Sequence, residues 1–254
     1  MWARGEQGWA WFLEVLFPSC CPICQAGVKR PHALCASCHQ RLPLATANHC
    51  RRCGELTDHP MTECGVCRGV FYAADAFHVP FQFEGFIRSL VHSLKYGDRG
   101  HVAATLGALC WERVGVDLQR EGLDLVLPMP LHWRRLWSRR YNQAALLAAV
   151  LARHLHLPLE TGGLKRHRRT NAQTHLNAHQ RQENVRGAFL ANPERVRGRR
   201  VLLVDDVVTT GSTLAAAVFA LKYAGAERVV VLAMARAPLI VTDRDSFRRG
   251  ALRR

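Results

Sequence analysis

The stretch Val201-Leu202-Leu203-Val204-Asp205-Asp206-Val207-Val208-Thr209-Thr210-Gly211-Ser212-Thr213-Leu214 constrains the fold of this chain more than any other. Val201 to Val204 read as a parallel strand covered on both faces, because such a strand has no solvent side on which to alternate polar residues. Two adjacent carboxylates, Asp205 and Asp206, stand at its C-terminal end, where open α/β sheets bind ligands. Thr209, Thr210, Gly211, Ser212 and Thr213 are small, and the helical run Leu214 to Tyr223 follows directly. Small residues let backbone N–H groups close around an anion at a helix N-terminus, and hydroxyls add further donors. The unit offers a phosphate cradle beside two acceptors, the shape of a ribose 5-phosphate with its cis hydroxyls. Two other readings use the same residues. A P-loop NTPase also ends a strand in acids, but no G-x-x-x-x-G-K-[ST] occurs in the chain. A plain strand-to-helix turn capped by Asp and Thr explains the hydroxyls, though not the paired acids.

The cysteines set a second constraint. Of ten, nine precede residue 68, and eight form a strict repeat. Cys21-x2-Cys24-x10-Cys35-x2-Cys38 recurs as Cys50-x2-Cys53-x10-Cys64-x2-Cys67, each cysteine displaced by 29 positions. Paired C-x-x-C knuckles place four thiolates tetrahedrally on Zn²⁺, and Pro22, Gly54 and Gly65 supply turn residues in or beside them. Two closed four-cysteine sites leave no open coordination position, so the expected pair of zinc ions is structural. Pairing within each repeat is simplest; exchange between repeats, or Cys20 in place of Cys21, remains open. A unit this short needs a metal staple to fold. A disulfide framework would require an oxidising compartment.

The 254 residues leave room for one large domain and one small one. We expect residues 1–70 to form an N-terminal helix and double zinc ribbon, and residues 71–254 an α/β domain. The formal charge of +15 points to polyanionic partners. No apolar run reaches the length of a membrane span. The apolar start from Trp9 to Phe17 is interrupted by Glu14 and lacks a small-x-small cleavage site. These features lead us to expect a cytoplasmic protein. Beyond Tyr72, strand patterns (Ala76 to Phe81, Leu125 to Leu127, Arg228 to Ala233) alternate with helical ones. The helices are read at Glu84 to Tyr96, His101 to Val114 and Asn142 to His156. That alternation argues for a parallel sheet flanked by helices.

The Val201 to Leu214 segment resembles, nearly residue for residue, the phosphoribosyl-pyrophosphate (PRPP) loop of type I phosphoribosyltransferases. The resemblance implies that Asp205 and Asp206 take ribose hydroxyls, and that Val207 leads into a 5-phosphate loop of Thr209, Thr210, Gly211, Ser212 and Thr213. Three more segments are similar to the ComF family of competence-associated proteins. They are Leu94-Lys95-Tyr96-Gly97-Asp98, then Pro128-Met129-Pro130-Leu131-His132 running into Arg139-Arg140-Tyr141-Asn142-Gln143-Ala144, and the stretch from Thr170 through Asn184-Val185-Arg186-Gly187 to Phe189. The family resemblance implies a type I phosphoribosyltransferase-like parallel sheet behind the zinc ribbons. It places a pyrophosphate loop at Pro128, Met129, Pro130 and Leu131, with Arg139 and Arg140 following, and it implies Mg²⁺ on the PRPP. It also implies a part in DNA uptake, natural competence or the use of external DNA, beside a membrane-associated uptake partner. Arg140 stands where the family usually has glycine. Lys165, Arg166, Arg168 and Arg169 lie where a mobile lid is expected.

No residue marks an acceptor for a transferred phosphoribosyl group. His132 follows the Pro-Met-Pro turn, where a histidine can simply hydrogen-bond backbone, and His175 with His179 at helical spacing reads as a surface pair without a companion acid. The residues describe a pocket rather than a reaction. Trp133 and Trp137 interleave with Arg134, Arg135, Arg139 and Arg140, the mix of stacking surface and phosphate contact used on single-stranded DNA. Against this stands the reading of both tryptophans as core and the arginines as solvated. Two functions therefore emerge: a PRPP-dependent transferase, and a non-catalytic single-stranded-DNA-binding factor that uses PRPP only as ligand or keeps only the fold.

Overall fold

The computed structural model describes residues 19–45, 48–50, 52–55, 57–59, 61–64, 74–96, 100, 102–131, 141–167, 188–209 and 211–237. Its strands are β1 (Ala76–His78), β2 (Phe81–Gln82), β3 (Leu125–Pro128), β4 (Leu164–Arg166), β5 (Phe189–Ala191), β6 (Arg200–Val208) and β7 (Arg228–Arg236). Its helices are α1 (Ala36–Gln40), α2 (Gly85–Tyr96), α3 (Val102–Arg120), α4 (Gln143–Leu155), α5 (Pro193–Val196) and α6 (Ser212–Tyr223). The main sheet has the order β1-β7-β6-β3, all neighbours parallel, with β2 pairing further along the β1 edge of β7. Strands and helices alternate as the patterning requires.

Alternate residues of the central strands feed two cores. Val126, Leu202, Val204, Val230 and Leu232 join Ile87, Leu94, Leu106, Leu147 and Leu151, so α2, α3 and α4 cover one face. Leu125, Leu127, Val201, Leu203, Val229 and Val231 join Leu214, Val218 and Leu221, so α6 covers the other. Both faces are dry, which is why β6 opens as an unbroken apolar run. The helices approach closely: a Cβ added at Gly107 of α3 would meet Val150 of α4 at 2.6 Å.

The expected strand from Ala76 to Phe81 is two strands. Pro80 has no N–H to give the ladder, and its carbonyl instead accepts the Ala45 N–H at 2.9 Å. β6 runs past Val204, so Asp205, Val207 and Val208 pair with Ala233, Ala235 and Arg236 inside the sheet. Lys165 and Arg166, expected on a lid, form β4, which pairs antiparallel with β5 in a small second sheet. Among the described residues, no helix is long and apolar enough to cross a membrane.

The cysteine-rich segment is packed on this sheet. The Gln82 N–H donates to the Pro43 carbonyl at 2.8 Å, and Leu44 forms an antiparallel bridge with Phe81. His39 reaches Glu112 of α3 at 2.8 Å. Gly54 holds φ +69°, and a Cβ there would meet Val79 Cγ2 at 2.6 Å and Phe77 Cδ1 at 2.9 Å. Only glycine fits so near the edge strand with a left-handed backbone.

Candidate functional site

The C-terminal ends of β3 and β6 lie side by side, with Pro128 opposite Val204. The Met129 N–H donates to the Val204 carbonyl at 2.8 Å, and the Met129 carbonyl accepts from Asn142 Nδ2 at 3.0 Å. Asn142 also caps α4, its Oδ1 accepting the Ala144 N–H at 3.0 Å. One side chain thus starts a helix and clamps the Pro128-Met129-Pro130 turn against the strand that carries the acids. The preceding Tyr141 hydroxyl donates to the Leu94 carbonyl at 2.6 Å, tying the end of α2 to the same junction.

Asp205 Oδ1 accepts the Asp206 N–H at 2.9 Å, and Asp206 Oδ1 accepts the Val207 N–H at 2.6 Å. Lys95 Nζ stands 3.0 Å from Asp206 Oδ2, with both side chains mostly buried. Burial, followed by the charge of Asp206, pushes Asp205 up to about 7 against the opposing pull of the Asp206 N–H, Lys95 and Arg166. Gly211 caps α6 at φ +75° and brings no side chain to the cap. A helix start of this kind suits an anion, because its first N–H groups point out of the helix. The Ala237 N–H donates to the Val208 carbonyl at 2.9 Å, holding the far end of β6.

The structure therefore gathers Pro128, Met129, Pro130, Leu131, Asp205, Asp206, Val207, Thr209, Gly211, Ser212 and Thr213 at one end of the sheet and the start of α6. Thr210, Trp133, Arg134, Arg135, Trp137, Arg139, Arg140, His132, Arg168, Arg169, His175 and His179 lie outside the described residues. Lys95 has no assigned part within its motif Leu94-Lys95-Tyr96-Gly97-Asp98, and those neighbours are the sequence signal that points to it. Arg166 bears on Asp205 from β4, where its guanidinium carbon lies 5.5 Å from the centre of the Phe189 ring.

The thiols fall into two clusters. The Sγ atoms of Cys21, Cys24, Cys35 and Cys38 all lie within 4.8 Å of one another, as do those of Cys50, Cys53 and Cys64. Cys24 and Cys35 are 3.5 Å apart, and Cys53 and Cys64 3.6 Å. Thiolates about 2.3 Å from a tetrahedral Zn²⁺ stand roughly 3.8 Å from each other, so the sulfurs fit that ion. Each cluster draws on a single repeat. Cys20 is exposed and bridges Gly27 outside the first cluster, and Cys67 lies outside the described residues. Burial would raise the Cys21 thiol, but the N–H groups of Cys24, Cys35 and Ile23 bring it down to about 6. The second cluster packs on Ala215 in the first turn of α6. Arg236, 5 % exposed at the end of β7, donates to the Cys53 carbonyl at 2.8 Å and pairs with Glu55.

Residues 142–246 match the phosphoribosyl transferase domain, and residues 12–69 match the double zinc ribbon domain. The DNA utilization protein YhgH of Salmonella typhi is 33% identical over 228 residues, spanning 86% of this chain and 97% of that protein. Competence protein F of Haemophilus influenzae is 31% identical over 211 residues, spanning 81% of this chain and 91% of its own length. Among solved structures, the glutamine PRPP amidotransferase from B. subtilis, complexed with ADP and GMP, is similar over 55% of this chain and 30% of its own, at 23% identity and a TM-score of 0.37. With both domains matched and curated relatives aligned over most of their length, the chain belongs to the ComF family.

Proposed function

We propose that this chain binds PRPP, or a closely related ribose phosphate, at the C-terminal end of β6. The reading is carried by one observation: an acid pair held between the clamped 128–131 turn and the glycine-capped start of α6. Asp205 and Asp206 accept the ribose hydroxyls, residues 209–213 take the 5-phosphate, and residues 128–131 with Arg139 and Arg140 face the diphosphate. Mg²⁺ would come with the ligand, needing no dedicated protein cage, and would supply charge neutralisation at the diphosphate. The thiol clusters hold two structural zinc ions. Calorimetric titration of PRPP with Mg²⁺ tests the site. A lost charge-assisted hydrogen bond is worth about 1.5–3 kcal/mol, so Asp205→Asn or Asp206→Asn weakens binding roughly 10- to 150-fold. Unchanged affinity in the double variant refutes the ribose role.

The work of this site belongs, in our reading, to the handling of DNA in the cytoplasm. Two relatives carry names for DNA utilization and competence, and a +15 chain favours polyanions. We assign single-stranded DNA to Trp133, Arg134, Arg135 and Trp137. Fluorescence quenching across a salt series tests that assignment, because each neutralised phosphate contributes about −0.7 to the slope of log K against log salt. An unaltered slope after the two arginines become alanine moves the DNA site elsewhere. Pyrophosphate release from PRPP across a panel of acceptors separates a transferase from a protein that uses PRPP only as ligand.

A further inference from the structure

We propose that Lys95 is the positioning cation of the acid pair: it fixes the Asp206 carboxylate and supplies the compensating charge that lets two adjacent acids receive an anionic sugar phosphate. The inference rests on the PRPP reading and deepens it. Successive strand residues face opposite sides of a sheet. Val204 packs in the core with Leu94 of α2, and Asp206, two residues on, continues that face and meets Lys95. The lysine is held by its neighbour: Leu94 is fully buried, and its carbonyl carries the Tyr141 hydroxyl at 2.6 Å. Tyr141 immediately precedes Asn142, which clamps the 128–131 turn. The ammonium group is thus set from the same junction as the proposed diphosphate turn, and it lies 3.0 Å from Asp206 Oδ2.

Asp206 retains acceptor capacity under this arrangement. The Val207 N–H occupies one lone pair of Oδ1, Lys95 faces Oδ2, and a carboxylate offers about four lone-pair sites. Among the described residues, the charges that face the pair come from Lys95 on α2, Arg166 on β4, and the two acids themselves on β6. Without Lys95, two carboxylates confront each other and the incoming phosphates with Arg166 as the remaining counter-charge among these groups. Asp205, already pushed up to about 7 by burial and Asp206, then holds its proton more tightly.

The test compares the full-length protein with Lys95→Met and Lys95→Arg by calorimetric titration of PRPP and Mg²⁺ from pH 6 to 9. It adds a ligand-free infrared titration of the carboxyl band that disappears in Asp205→Asn. Lys95→Met is expected to weaken PRPP binding at least tenfold at pH 7. It should also move the midpoints of the binding profile and of the Asp205 band about one pH unit upward, the lower end of what a nearby opposite charge does. Lys95→Arg restores both midpoints, which a merely structural role would not require. Midpoints that stay in place in Lys95→Met overturn the proposal. A wild-type protein that ignores PRPP overturns the PRPP reading instead, and the infrared titration still decides the part played by Lys95.

Discussion

Asp205→Asn should make the protein more stable at the same time as it damages the ligand site. In the fold, burial and Asp206 carry the Asp205 carboxyl from its ordinary 3.8 to about 7. Ionising it there costs about 1.36 kcal/mol per pH unit, on the order of 4 kcal/mol once the pH exceeds 7. The sign follows from proton binding. Between pH 4 and 7 the folded chain holds this proton and the unfolded chain does not, so the contribution of Asp205 to stability falls as pH rises. At pH 5 the folded group is still protonated, and the penalty is much smaller. Asparagine carries no such charge, and its amide oxygen can still accept the Asp206 N–H. Urea unfolding of wild type and variant at pH 5 and pH 8 measures the difference. The variant should gain more at pH 8 than at pH 5. Equal stability at the two pH values, or a loss at pH 8, would refute the account of Asp205 as a costly buried acid. A gain accompanied by weakened PRPP binding is the stability–function conflict expected where a site is built from like charges.

Gly54→Ala should lower stability by about 2–4 kcal/mol in chemical unfolding, since it adds overpacking against Val79 and Phe77 to a left-handed backbone. Arg236→Met should cost about 3–5 kcal/mol by the same measurement, because Glu55 and the Cys53 carbonyl lose a buried partner; Glu55→Gln in that background should recover part of it. Metal analysis should find two zinc equivalents, one of them lost in Cys21→Ser or Cys35→Ser together with the stability of the N-terminal segment. Retention of both equivalents after Cys50→Ser and Cys64→Ser together would reject the second zinc site.

Much of this was legible in residue order because it is local. The apolar run of β6, the paired acids and the small residues before α6 each follow from composition over a few positions. The ends of elements were less legible. The apolar run stops at Val204, with Asp205 and Asp206 at its end, yet β7 runs nine residues and supplies ladder partners as far as Arg236. Arg236 ends that strand buried because Cys53 and Glu55 receive its guanidinium, a fact no neighbouring residue announces. Helix α3 passes the expected end at Val114 and runs to Arg120, since Gly115 makes room for the Trp111 ring rather than stopping the turn. β4 and β5 are three residues each and exist by pairing with one another. The Lys95–Asp206 contact joins α2 to β6, and only the folded chain brings them together.

The link between Cys53 and Arg236 also sets an order of assembly. These residues are 183 positions apart, and the chain is made from its N-terminus. Each thiol cluster closes over short spacings, so a ribbon can form early on its own metal. The anchor of the second cluster on the sheet is not complete until β7 has been made. β1 and β2 pair with β7, and β7 carries Arg236 at its end. The second thiol cluster is therefore anchored late, and a chain stopped short of β7 would lack the Arg236 link that ties Cys53 and Glu55 to the sheet.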